Sequence, residues 1–172
     1  YGGRLPWCEE VIGLEDTFRG LRAELLATFR RGVEEPLPDQ RFNELALRVL
    51  RFQSRAVPAY GAFLARRGIA ADRVERWEEI PFLPTRAFKS HPLVAGELGR
   101  VQRVFRTSGT TGGREGRGEH HVLDLALYRE ALLPPFRANL LPEGAPMPVL
   151  CLLPSPAQSP DSSLSFMMGE VL

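Results

Sequence analysis

The stretch Thr107-Ser108-Gly109-Thr110-Thr111-Gly112-Gly113 constrains this chain more than any other. Glycines at 109, 112 and 113 admit backbone conformations closed to other residues and let N–H groups approach an anion without Cβ interference. Hydroxyls on Thr107, Ser108, Thr110 and Thr111 can donate to phosphate oxygens. Successive N–H groups in such a turn form an anion-binding concavity. Ser, Thr and Gly also populate ordinary loops. Composition alone therefore leaves two readings open: a phosphate cradle and a polar hairpin tip.

The flanks narrow the first reading. Val101-Gln102-Arg103-Val104-Phe105 has the character of a strand, and Glu119-His120-His121-Val122-Leu123 of a short strand on the far side. A Walker A loop needs Gly, four residues, then Gly-Lys-Ser/Thr, and opens directly into a helix. Counted from Gly109, Arg114 stands where the second glycine is due, the loop has no Lys, and a strand intervenes before any helix. The glycine spacing also fails the dinucleotide fingerprint.

Upstream, helical spacing dominates residues 14 to 68. Asp16 is a candidate N-cap for Phe18, Leu21, Leu25 and Phe29, with Gly32 as the stop. Asp39 caps a second helix through Phe42, Leu45, Val49 and Phe52. Pro58 opens a third, ended by Gly68. The arginines between these apolar positions form the solvated face. Residues 72 to 92, pinned by Pro81 and Pro84, form a packed connector, with Trp77, Phe82 and Phe88 as packing residues and Lys89 and His91 solvated. Downstream, Asp124 caps a helix through Leu125, Tyr128, Leu132 and Phe136, kinked or restarted at Pro134-Pro135. Met147 to Leu153 suits a buried strand, with Cys151 an inert core thiol. Ser155 to Ser163 is a loop, and a last helix opens near Ser165. The expected fold class is α/β: residues 1–100 a helical N-terminal region and connector, residues 101–172 the incomplete start of an α/β nucleotide-binding subdomain.

The order Phe105-Arg106-Thr107-Ser108-Gly109-Thr110-Thr111-Gly112 resembles the Ser/Thr/Gly-rich signature of adenylate-forming enzymes, the acyl-CoA synthetase and luciferase superfamily. Ile80-Pro81-Phe82-Leu83-Pro84 with Phe88-Lys89, and Ser162-Ser163-Leu164-Ser165 with Met168-Gly169, are similar to segments of its acyl-protein synthetase branch. The resemblance covers residues 70 to 172. It implies a mixed sheet domain and ATP-dependent activation of a carboxylic acid, a fatty acid in that branch. A thiol acceptor, on a partner acyl-reductase or a carrier, then attacks the acyl-adenylate, takes its acyl group and releases AMP. ATP and Mg²⁺ are the implied cofactors. Thr107, Ser108, Gly109, Thr110, Thr111, Gly112 and Gly113 are the implied phosphate-binding residues, and no catalytic residue is assigned. The usual continuation Gly-x-Pro-Lys-Gly stands here as Gly112-Gly113-Arg114-Glu115-Gly116, so Arg114 or Arg117 would have to restore a cation. The alternative is a degenerate nucleotide-binding domain acting as a scaffold.

Lys plus Arg total 22 against 21 Asp plus Glu, which gives no electrostatic case for a nucleic-acid partner. No apolar run approaches a membrane span. Cys8 and Cys151 are too few for a disulfide framework or metal site, which fits a reduced, cytoplasmic setting. Both ends have the character of interior sequence. The chain is thus expected to be the N-terminal part of a longer ligase, without turnover by itself. His120 and His121, adjacent on a strand, face opposite sides.

Overall fold

The computed structural model describes residues 6–107, 116–141 and 148–172, with residues 6–13 as helical backbone alone. Helix α1 spans Pro6–Arg30. It starts before the expected cap, because Pro6 suits a first turn and no second proline follows before Pro36. Asp16 therefore lies inside the helix, where its carboxylate meets Arg19 one turn on at 3.1 Å. Gly32 ends the run with φ +80, a backbone region that disfavours L side chains.

Helix α2 (Asp39–Ala56) is central. Leu45, Val49, Phe52 and Ala56 recur at i, i+4, i+7 and i+11 and pack with Leu21 of α1. Leu47 and Leu50 turn instead toward helix α3 (Pro58–Arg66), joining Tyr60, Leu64 and Val74. Leu50 is 2% exposed. Asp39 sits at the first helical position after Pro38 and makes no side-chain cap. Gly68 closes α3 with φ +67, and the Ile69 N–H reaches the Leu64 carbonyl at 3.0 Å in the six-to-one bond of a Schellman turn. Arg41 and Arg48 of α2 both engage Glu24 of α1. Such rim pairs add little stability beside the apolar seam.

The connector is packed as expected, from short turns and the four-residue helix α4 (Ala87–Ser90). Asn43 of α2 holds it from both ends of one amide: Nδ2 donates to the Glu75 carbonyl at 2.9 Å, and Oδ1 accepts from the Trp77 N–H at 2.7 Å. Trp77 meets Phe42 edge-on at 5.3 Å. Phe82 departs from the expectation, being 81% exposed.

Strands β1 (Arg103–Arg106) and β2 (Glu119–Val122) pair antiparallel, Arg103 opposite Val122 and Arg106 opposite Glu119. The chain is thus a helix-rich mixture of helices and strands, with one two-stranded sheet among the described residues. The strand expected at 147–153 does not form over its described part. Leu150 and Leu152 stand 86% and 90% exposed, and Cys151 is only half-buried. A strand needs a ladder partner. The outer edge of β1 is taken by the Ser/Pro-rich loop, whose Asp161 carbonyl accepts from the Arg106 N–H at 2.8 Å.

Helix α5 (Leu125–Leu140) continues through Pro134 and Pro135 as one helix rather than restarting there. Helix α6 (Ser163–Val171) begins two residues before the expected Ser165, capped by Ser162. Its Phe166 joins Phe105 and Val122 in a third core cluster, flanked by Leu125 and Tyr128. Contacts cross residue 100: α1 packs on α5, and Arg30 meets Glu130 at 3.0 Å.

Asp124 is the N-cap of α5, as the sequence indicated, accepting from the Leu127 N–H at 3.0 Å. It is also paired with Arg22 of α1. Burial pushes the Asp124 carboxyl up, but the Arg22 guanidinium and the helix N–H groups outweigh it and hold the carboxyl below its ordinary value. Its stabilisation is therefore complete above the ordinary aspartate pKa and lost as the pH falls through the lower folded value. Asp124→Ala is expected to cost about 1–2 kcal/mol in urea unfolding at neutral pH, and the difference from wild type should vanish in acid.

Candidate phosphate-binding hairpin

The loop that the sequence singles out joins β1 to β2 as the tip of a hairpin. Thr107 and Gly118 extend the ladder one step beyond the strands. The Thr107 N–H donates to the Gly118 carbonyl at 3.0 Å, and the Gly118 N–H donates to the Thr107 hydroxyl oxygen at 2.9 Å. That hydroxyl accepts from its neighbour and keeps its own proton for an outside acceptor. Ser108, Gly109, Thr110, Thr111, Gly112 and Gly113 lie outside the described residues, as do Arg114 and Glu115. Of the seven implied phosphate-binding residues, Thr107 alone is placed. The strand on each side of the tip separates it from the strand–loop–helix geometry of a Walker site.

Arg117 bolts the root of the tip. Its Nε donates to the Thr107 carbonyl at 2.6 Å and Nη2 to the Arg106 carbonyl at 3.3 Å, while Nη1 meets the Asp161 carboxylate at 2.8 Å. The planar fork suits three acceptors held in fixed directions. Arg117 is therefore committed to the frame and to Asp161, and is not the spare cation that the sequence suggested. Arg106 is likewise occupied, with Nη2 on the Glu119 carboxylate at 2.8 Å.

A further cationic residue, Lys89 of the connector, packs its stem against the root. A Cβ built on Gly118 would stand 3.3 Å from the Phe88 Cβ and 3.4 Å from the Lys89 Cγ. Helix α4 thus lies directly on the hairpin at its tip end. Alternation puts Phe105, Thr107, Gly118 and His120 on one face of the ladder. Lys89 is exposed and has no ion-pair partner among the described residues. The useful sequence signals were the resemblance around Phe88-Lys89 and the glycine at 118, since a glycine in a strand marks a close approach of another backbone.

The two histidines divide as expected. The His120 ring meets Phe88 edge-on at 5.7 Å and Tyr128 at 6.2 Å. This apolar packing, with a smaller contribution from neighbouring His121, holds the imidazole below its ordinary pKa. His120 thus packs its ring against Phe88 of α4 and Tyr128 of α5 while the residue stays exposed. His121 is on the other face, Nε2 3.4 Å from the Glu119 carboxylate.

Among the described residues no group of three His, Cys, Asp or Glu side chains is placed to hold a metal ion. No described helix is long and apolar enough to cross a membrane. No family model, curated protein or solved structure matches the chain.

Proposed function

We propose that this chain carries the phosphate-binding part of an ATP-dependent, adenylate-forming acyl ligase of the acyl-protein synthetase type. The observation that carries the reading is the framing of the hydroxyl- and glycine-rich tip. It springs from a hairpin locked at its root by Arg117 and Asp161, and Lys89, which has no ion-pair partner among the described residues, packs against Gly118 at that root. Preorganised donors lose no reorganisation energy when charge develops on the ligand, which is what phosphoryl displacement demands of a protein.

In this reading the amides and hydroxyls of residues 107–113 hold the β- and γ-phosphates of ATP. Lys89 replaces the cation that Glu115 does not supply. The carboxylate substrate attacks the α-phosphorus and pyrophosphate leaves; a thiol, losing its proton, then attacks the acyl carbonyl of the adenylate, and AMP leaves. Mg²⁺ accompanies the nucleotide and shares the charge of the leaving pyrophosphate. The donor set fits phosphate oxygens: hydroxyl protons, N–H groups and an ammonium, and of the carboxylates among the described residues at the hairpin root, Asp161 is paired with Arg117 and Glu119 with Arg106. A mixed sheet domain, a fatty-acid substrate and a partner reductase or carrier belong to the same proposal.

The test is carboxylate-dependent pyrophosphate exchange by the complete protein with a panel of carboxylic acids. Thr110→Ala and Thr111→Ala are each expected to lower exchange about tenfold or more without lowering the melting temperature. Unchanged exchange in both would remove the tip from the mechanism. ATP binding without exchange, for every acid tried, would favour the scaffold reading.

A further inference from the structure

A groove of about 370 Å³ runs between α3 and the connector from Leu83 to His91. Its floor is apolar and half-buried: Ala59, Phe63, Leu83 and Ala87. Ala87, Ser90 and His91, at i, i+3 and i+4, share the face of α4 that lines it. Phe88 and Lys89 of the same helix pack instead against Gly118 of the hairpin.

The charge around this groove has one sign. No Asp or Glu occurs from Leu45 to Ala71 or from Ile80 to Gly96, so neither wall carries a carboxylate. Arg66 borders it on α3, and Arg86 and His91 border it on the connector, all three exposed. Arg22, Arg30, Arg41, Arg48, Arg55 and Arg129 each meet a carboxylate. Among the described residues, Arg66 and Arg86 meet none. Cations on both walls of an apolar trough complement a surface with negative charge on both sides of an apolar ridge.

The shape narrows the partner. The backbone of α3 is bonded within the helix and no strand lines the groove, so an incoming chain finds no edge to pair with. Recognition rests on side chains. A helix presents these with its own backbone satisfied, its apolar residues in one stripe and its polar ones on either flank. A bilayer needs a projecting apolar face, whereas this floor is recessed. A nucleic-acid base needs an open ring to stack on, and the Arg67 guanidinium lies over the Phe63 ring at 5.0 Å.

We infer that this groove docks an acidic amphipathic helix of a partner protein, with its apolar stripe on Phe63 and Leu83 and separate carboxylates on Arg66 and Arg86. Each arginine takes its own carboxylate, so the two guanidiniums need not converge. The surface does not depend on nucleotide binding at the hairpin.

Fluorescence anisotropy of labelled peptides with the whole chain tests it. The probe is a peptide of about 18 residues, long enough to be helical alone, with Leu at i, i+3, i+4 and i+7 and Glu on both flanks. Wild type is expected to bind it about tenfold or more tightly than the same peptide with Lys for each Glu or Ser for each Leu, and more weakly as salt is raised. Arg66→Glu with Arg86→Glu should weaken binding about tenfold or more. Arg73→Glu with Arg137→Glu, the same change of net charge at exposed positions outside the groove, should leave it intact. Circular dichroism establishes that each variant is folded; if the first pair is not, Arg66→Gln with Arg86→Gln and the wild-type peptide comparison decide. No binding of the acidic peptide, or equal binding of the acidic and basic ones, would overturn the inference. So would equal losses in the two charge-reversed pairs, or binding confined to anionic vesicles or to a single-stranded oligonucleotide.

Discussion

Lys89→Ala in the complete protein is expected to lower carboxylate-dependent pyrophosphate exchange about 10²-fold, with Lys89→Arg retaining much of the rate. The physical reason is the charge inventory at the hairpin root. Arg106 is bound to Glu119, and Arg117 to Asp161 and two backbone carbonyls. Lys89 alone, among the described residues there, is a cation without a partner. Its side chain is exposed, so its removal leaves no cavity and no orphaned charge, and the melting temperature should hold. A structural role for Lys89 would move stability and leave exchange untouched. Wild-type exchange in Lys89→Ala would show that the phosphates find their positive charge elsewhere.

Much of the helical part was legible because its signals are local. Pro58, Gly32, Gly68 and Asp124 act through backbone dihedrals and single hydrogen bonds, and each ends or begins a helix where the sequence indicated. Asp16 misled because a capping residue within a longer run of helix formers is only a candidate, and its carboxylate found Arg19 instead. The hairpin was legible in outline from the two short strands around a glycine-rich tip. Its root was not: Arg117 reaches Asp161 across 44 residues, a pairing that no local pattern announces. The stretch through Cys151 misled in the opposite way. Apolar, β-prone residues suggest a buried strand, but a strand forms only when another edge is free to pair with it, and here that of β1 is taken. The packing of Lys89 against the hairpin is hidden for the same reason, since its neighbour Gly118 lies far along the chain.

Phe105→Ala is expected to cost about 3–5 kcal/mol in urea unfolding, the largest stability loss of any single truncation in the hairpin. Phe105 is 3% exposed and is the residue through which the sheet meets both following helices. Its ring lies 5.2 Å from Tyr128 of α5 and 5.3 Å from Phe166 of α6. Such tilted aromatic pairs add to the area each ring removes from water. Two strands alone are marginal in water, so this hairpin depends on that one apolar face. Val104 faces the other way and is half-buried; Val104→Ala should cost well under half as much. The two variants thereby separate loss of strand propensity from loss of the anchoring ring. In hydrogen exchange, Phe105→Ala should release the amides of 103–106 and 119–122 while those of α2 and α3 keep most of their protection, because Leu50 and its cluster do not touch Phe105. A loss below about 1 kcal/mol would mean that the hairpin is held by its edges, through Asp161 and Arg117, rather than by its face. That outcome would move the frame of the tip from the core to the surface, where salt weakens it.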